Sequence, residues 1–261
     1  MDDTNVKKSK ETGMRTRSAL ATGLLAVVNI GLVSCGGAAQ PAAPVNSPSV
    51  PSPSVGPSSS TAGGSAPGSA QSSAVAGGTL SWNFDQDVPG GLPKGAQVYS
   101  GTWTVRAEAD TPSPPNALCQ TGNAEYPAIS LGDATYTNLT MSTRFKPISG
   151  KTDQAAGLIL RIQDKDNYYI VRANALENNV IFFKYVGGRR STIKEGSTKV
   201  LSGQWQELRA EVSGDRVRAF LNGQLVVEAS DGTFKSAGRV GLWTKADSVT
   251  CFDDVTVTPA G

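Results

Sequence analysis

Residues 155–180 read AAGLILRIQDKDNYYIVRANALENNV. Two runs rich in branched and aromatic residues, 158–163 and 168–174, flank the polar segment Asp164-Lys165-Asp166-Asn167. Strand-favouring residues on both sides of a polar turn predict a β-hairpin. An even-length turn puts Gln163 opposite Tyr168 and Arg161 opposite Ile170. Side chains alternate along a strand. One face then carries Leu158, Leu160, Ile162, Tyr169, Val171 and Ala173, an apolar set that belongs in a core. The other carries Ile159, Arg161, Gln163, Tyr168, Ile170, Arg172 and Asn174. Guanidinium forks and planar amides on one surface suit the paired hydroxyls of a sugar, or a carboxylate. A solvent-facing sheet whose arginines pair with acids on neighbouring strands carries the same residues, and both readings stand.

The same texture continues on either side. Strands are predicted near 79–84, 95–99, 102–107, 117–120, 127–131, 138–146, 156–163, 168–175, 180–186, 190–194, 204–213, 216–222, 224–229, 238–244 and 249–258. No long stretch shows a helical period. Asn222-Gly223 is a strong two-residue hairpin signal, because a type I′ turn needs positive φ at both central positions. Gly187-Gly188 and Gly214-Asp215 mark two more turns. So many short strands predict an all-β, antiparallel β-sandwich of the jelly-roll kind over residues 79–261.

The N-terminal third reads differently. Lys7, Lys8, Lys10, Arg15 and Arg17 precede an uncharged apolar run from Ser18 to Val33, shorter than the roughly 20 residues of a membrane-spanning helix. The run ends in Leu32-Val33-Ser34-Cys35-Gly36. This resembles the bacterial lipobox, which implies that residues 1–34 are a lipoprotein signal peptide and Cys35 the lipidated residue. Met14 followed by Arg-Thr-Arg offers an alternative start. Residues 35–78 are rich in Ser, Pro, Ala and Gly and carry no charge, a composition that cannot bury enough apolar area to order itself, so they are read as a disordered tether. The expected location is the bacterial cell envelope, with the chain exported and lipid-anchored, at the outer membrane where the host has one.

Composition excludes several chemistries. The 261 residues include no histidine, which removes Ser–His–Asp, Cys–His and His-ligated metal sites. Residues 1–34 carry five of the 24 basic and three of the 22 acidic side chains, which leaves 19 of each in the remainder. A neutral chain with no basic stretch interleaved with aromatics argues against nucleic acid as a partner.

The quoted stretch combines with further segments: Lys184-Tyr185-Val186-Gly187-Gly188, Gln204-Trp205-Gln206-Glu207-Leu208, Leu221-Asn222-Gly223-Gln224, residues 241–248 (GLWTKADS) and Phe252-Asp253-Asp254-Val255. Together they resemble the concanavalin A-like (LamG-like) lectin/glucanase superfamily, in the branch named for 3-keto-disaccharide hydrolases. The resemblance covers about 79–258. It implies two curved antiparallel sheets, a face that binds carbohydrate, and hydrolysis of oxidised disaccharides, although fold alone does not fix function.

A glycosidase needs two carboxylates at a set separation. The Glu-x-Asp-x-Glu strand motif of laminarinase-type relatives is absent, and no strand offers alternating carboxylates on one face. A 3-keto sugar can instead lose its aglycone by elimination, which needs a base. The candidate catalytic residues are Glu177, between strands, and Asp247. Asp164 and Asp166 read as turn formers. The candidate sugar-binding residues are Arg161, Gln163, Tyr168, Arg172, Asn174, Trp243 and Lys245; a core tryptophan closing the sandwich is the favoured alternative for Trp243, and Trp205 reads as core. The resemblance also implies a calcium site at Asp253, with Asp85 as a partner; plain surface charge is the alternative. Cys119 and Cys251, an even pair in an exported domain, suggest a disulfide, with two buried thiols as the alternative. The expectation is a monomeric, lipid-anchored, carbohydrate-binding protein with possible turnover of a 3-keto-disaccharide or glycoside; a non-catalytic lectin-like adhesion module or a protein-interaction module are the competing readings.

Overall fold

The computed structural model describes residues 78–261. The predicted signal peptide, lipidated Cys35 and tether lie outside those residues.

Fifteen strands are present, each within three residues of its predicted bounds, and no helix occurs among the described residues. They are β1 (Leu80–Trp82), β2 (Gln97–Ser100), β3 (Trp103–Ala107), β4 (Asn116–Gln120), β5 (Ala128–Ser130), β6 (Leu139–Ser149), β7 (Ala155–Asp164), β8 (Asn167–Asn174), β9 (Asn179–Val186), β10 (Arg189–Ser197), β11 (Gln206–Ser213), β12 (Arg216–Leu221), β13 (Gln224–Ser230), β14 (Arg239–Trp243) and β15 (Val249–Pro259). An eight-stranded sheet runs β13-β12-β11-β6-β15-β4-β3, with β1 pairing to β15. A seven-stranded sheet runs β10-β9-β8-β7-β14-β5-β2. All pairings are antiparallel, as expected when turns rather than crossover helices join the strands. Asn222 and Gly223 both have positive φ, the type I′ geometry read from the sequence.

The core lies between the sheets. Leu158, Leu160, Tyr169 and Val171 from the β7–β8 hairpin pack in one cluster with Met141, Phe145 and Leu208 of the opposite sheet. Cys119 and Cys251 face each other across β4 and β15 and are joined in a disulfide. They form a small separate cluster with Ala117 and the half-buried Trp205, on the side of the sheet away from the sandwich core.

The hairpin register differs from the expected one. Ile170 pairs with Ile159 rather than Arg161, while Asp164 still pairs with Asn167. The shift falls between Leu160 and Asp164, where β7 carries two more residues than β8 does. This is a bulge, and Arg161 sits in it at φ +51°. The reason is tertiary. Arg161 turns away from the outer face and donates to three carbonyl oxygens, those of Thr137 (2.8 Å), Phe234 (2.7 Å) and Gly214 (2.6 Å). Ile162, expected in the sandwich core, moves to the outer face instead.

Strand β14 runs between β5 and β7 so closely that a Cβ at Gly241 would lie 2.0 Å from the Ile129 carbonyl oxygen. Backbone cannot give way as a flexible side chain does. Gly241→Ala is expected to cost about 3 kcal/mol or more of unfolding free energy, the upper range for overpacking. Equilibrium urea denaturation measures it, and an unchanged midpoint would show that the two strands separate freely.

Candidate functional site

The outer face of an antiparallel sheet is ordinarily polar. Here the seven-stranded sheet carries a second apolar cluster on its outer side, including Ile159, Tyr168, Ile170, Phe183 and Trp243. One row crosses the sheet through register partners Glu195, Ile181, Arg172, Gly157, Trp243 and Ala128. The next polar row is Asn179 opposite Asn174, and Arg190 lies opposite Tyr185, which in turn faces Tyr168.

Trp243 is fully buried, yet on this outer face. Gly157 makes room for it, because a Cβ there would already meet the Trp243 side chain at 3.3 Å. Tyr126 stacks on the indole with centroids 5.7 Å apart. The Arg190 guanidinium sits over three rings: Phe183 at 4.5 Å, Tyr126 at 5.0 Å and Trp243 at 5.6 Å. Such a cage holds a cation by the negative faces of the rings. Its Nη1 is buried and finds no protein partner.

Arg172 lies beside it, 2% exposed. Its Nη1 donates to Glu177 at 2.8 Å, while its Nε has no protein partner. Burial holds the Arg172 guanidinium below its usual pKa, a pull that Glu177 partly offsets and the neighbouring Arg190 charge reinforces. Glu177 projects from the turn between β8 and β9, with its side chain 43% exposed. Burial pushes its carboxyl up, but the Arg172 guanidinium, the Asn179 amide and Lys245 outweigh that and hold it below the usual carboxylate range. Asn179 Nδ2 donates to both Glu177 (3.2 Å) and Glu195 (2.8 Å). The two carboxylate oxygens therefore lie no more than 6.0 Å apart. A carboxylate pair is assembled across strands where no single strand provides one.

The predicted site residues divide. Arg172, Glu177, Tyr168 and Trp243 belong to this face. Lys245 reaches its rim through an ion pair with the buried Asp153 (2.8 Å), which also accepts from Asn174 Nδ2 (2.7 Å). Asn174 further accepts from the backbone N–H groups of Gln154 and Leu176, so it fixes loops. Asp247 accepts the N–H groups of Lys151, Thr152 and Asp153, bonds that hold its carboxyl below the usual range. It orders the loop that carries Asp153. Arg161 lies away from the face for the reason given above, and Gln163 donates to the carbonyls of Arg161, Ser236 and Ala237. Arg190, Tyr126, Phe183, Asn179 and Glu195 were not among the predicted residues. The period-two pattern of β9 (Asn179, Ile181, Phe183, Tyr185) held the only available signal, because it continues the polar and aromatic face of β8.

Asp253 is fully buried and accepts from Ser113 N–H and Oγ and from Asp254 N–H; burial lifts its carboxyl to about 6. Asp85 accepts from Asn83 and, at 3.4 Å, from the Asn116 N–H. Hydrogens point at both carboxylates where a cation needs lone pairs, so the residues present do not fit calcium. Among the described residues, the one trio of metal-type ligand atoms is Glu108, Cys119 and Cys251, and its sulfurs are already joined.

The fold is thus a two-sheet jelly roll with an outer face lined by aromatic rings and guanidiniums. Residues 99–258 match the 3-keto-alpha-glucoside-1,2-lyase-like domain, and the chain belongs to that family. It is 29% identical over 166 residues to the levanase of Bacillus subtilis, covering 62% of this chain but 22% of the levanase, about a fifth of that protein. The carbohydrate binding module CBM66 from Bacillus subtilis superposes with a TM-score of 0.53 at 26% identity, over 63% of this chain and 95% of the module. A β-glucanase of Bacillus licheniformis aligns at 13% identity and a TM-score of 0.48, over 71% of this chain and all of that one (100%), too remote to inform the chemistry.

Proposed function

We propose that this protein binds carbohydrate on the outer face of its seven-stranded sheet, as a lipid-anchored component of the bacterial cell envelope. One observation carries the binding reading: Arg190 is held in a cage of Phe183, Tyr126 and Trp243 with a buried donor left unpaired. An unpaired buried donor is costly unless a ligand accepts from it. Rings beside it offer the flat apolar surface that the C–H face of a sugar needs. Similarity to a carbohydrate binding module supports the same reading. The basic segment, apolar run and Leu-Val-Ser-Cys35 support the anchor.

Glu177 favours a second step. It is held as a carboxylate beside the Arg172 guanidinium, which suits a base and not an acid. On a 3-keto glycoside, Glu177 takes the C2 proton. The electron pair moves onto the carbonyl oxygen as an enolate, stabilised by guanidinium. The pair then returns as the C1–C2 double bond forms and the aglycone leaves with the C1–O bonding electrons. Asp247 acts as a positioning residue, through the loop that it orders.

A glycan array followed by incubation with 3-keto and ordinary disaccharides tests both steps. Arg190→Ala is expected to weaken sugar binding about ten- to a hundredfold, the worth of a charged hydrogen bond. Glu177→Gln is expected to abolish turnover while leaving binding measurable. Binding without turnover in the native protein reduces the reading to a lectin. No glycan bound at all overturns it and leaves a protein-interaction module.

A further inference from the structure

At one end of the seven-stranded sheet, a buried carboxylate holds a lysine and an asparagine side by side. Asp153 and Asn174 are both fully buried. Asp153 Oδ2 lies 2.8 Å from Lys245 Nζ, and its Oδ1 accepts from Asn174 Nδ2 at 2.7 Å. Oδ2 has no further hydrogen-bond partner. The amide oxygen of Asn174 is engaged as well, by the backbone N–H groups of Leu176 (3.0 Å) and Gln154 (3.4 Å). The three residues belong to neighbouring strands, in the sheet order β8-β7-β14. Asn174 ends β8, Asp153 stands just before β7, and Lys245 just after β14. Register brings them together, because Asn174 pairs with Ala155 and Trp243 pairs with Gly157. Asp247 fixes the Asp153 loop through three of its N–H groups.

We propose that Lys245 and Asn174 become joined by an amide bond between Nζ and Cγ, a cross-link from β14 to β8 that the domain forms on itself. Asp153 takes a proton from the Lys245 ammonium, which frees the Nζ lone pair as a nucleophile. That transfer also removes two charges from an interior where ions are costly. Nζ attacks Cγ of Asn174. The amide oxygen gains charge as it does so, and it already meets the Leu176 and Gln154 N–H groups, as in an oxyanion hole. Asp153 gives its proton to Nδ2 and accepts one from the attacking nitrogen. The Cγ–Nδ2 bond then breaks with its electron pair on Nδ2, and ammonia leaves. The products are a secondary amide, ammonia and a protonated Asp153, so the step needs no oxidant, reductant or co-reactant. Burial of Asp153 and Asn174 keeps water from competing for Cγ. An ion pair alone would need only Asp153 and Lys245. Here the second carboxylate oxygen holds the amide that the lysine would attack, and proximity of this kind lowers the barrier of a bimolecular step.

The test is a tryptic peptide map of the purified full chain, reduced and alkylated so that the disulfide plays no part. Asn174 lies in the tryptic peptide 173–184, and Lys245 ends the peptide 240–245. An acylated lysine is not cleaved, so the expected product is one branched species, 173–184 joined to 240–261, lighter than the sum of its parts by one ammonia. Fragmentation places the branch at Asn174 and Lys245. Lys245→Arg keeps the charge beside Asp153 but offers no primary amine, and is expected to give only unbranched peptides from a chain that still unfolds cooperatively. Asp153→Asn is expected to leave Lys245 and Asn174 unjoined. Unbranched peptides alone from the native chain, after overnight incubation at neutral pH, overturn the proposal. Loss of ammonia without a branched peptide also overturns it, since that marks closure of Asn174 on its own backbone. A branch that forms equally well in Asp153→Asn overturns it too, because the carboxylate is then idle.

Discussion

Replacing Cys119 and Cys251 together by alanine is expected to lower the unfolding free energy by about 3–5 kcal/mol. The bridge spans a sequence separation of 132 residues. Loop-closure entropy grows slowly with length, and a loop of this size lies near the top of the range that a single cross-link contributes, about 5 kcal/mol. The position of the bridge lets the cross-link be measured nearly alone. Leu118 and Phe252, the neighbours of the two cysteines, point into the sandwich core, whereas the cysteines sit on the opposite side with Ala117 and Trp205. Two alanines there remove little core packing. The strands affected are also the ones that close the fold: β15 pairs with β6 along its length, with β4 near Cys251 and with β1 farther along. Urea denaturation of the oxidised native chain and the double variant gives the difference directly. A shifted midpoint with a small change in slope fits a constraint on the unfolded chain. Coincident curves would show that strand pairing alone holds β15 in place.

The strands were legible because two local signals agree along the whole domain. Apolar residues alternate, and Gly, Asn or Asp punctuate the runs. Asn222-Gly223 shows this at its plainest, since its backbone requirement is written in two adjacent residues. The register of the β7–β8 hairpin was not legible, because its cause is not local. Arg161 leaves the strand ladder for the carbonyls of Thr137, Gly214 and Phe234, and Gly238 lies so close that a Cβ there would stand 2.5 Å from the Arg161 carbonyl carbon. Nothing in residues 158–163 announces those partners. The same limit hid Arg190. In sequence it follows two glycines and another arginine and looks like a solvated edge strand. Its meaning depends on rings brought from β9, from β14 and from the segment before β5. Glu177 and Glu195, in turn, become a pair only through Asn179, whose place between them follows from the pairing of β9 with β10.

Arg172→Met is expected to leave the fold as stable as before, or up to about 2 kcal/mol more stable, while sugar binding falls a hundredfold or more. A buried guanidinium is costly, and this one is poorly compensated. It has a single ion-pair partner at 2.8 Å and an Nε without a protein partner. Burial and the nearby Arg190 both work against its charge. Replacement of buried ionic groups by apolar side chains of similar size is often neutral or stabilising where no partner charge is left buried. Methionine fills the space between Ile181 and Gly157 with a flexible chain and creates no cavity. Glu177 is not stranded by the change, because its side chain is 43% exposed and Asn179 still donates to it. The lost sugar affinity follows from the lost fork, which a point charge does not reproduce. Arg172→Lys is therefore expected to restore the charge without restoring the affinity. Thermal unfolding and sugar titration on the same sample separate the two quantities. Stability retained with binding lost identifies Arg172 as a residue kept for its ligand at the expense of the fold. A collapse of both would make it a structural arginine and would move the site toward Arg190 alone.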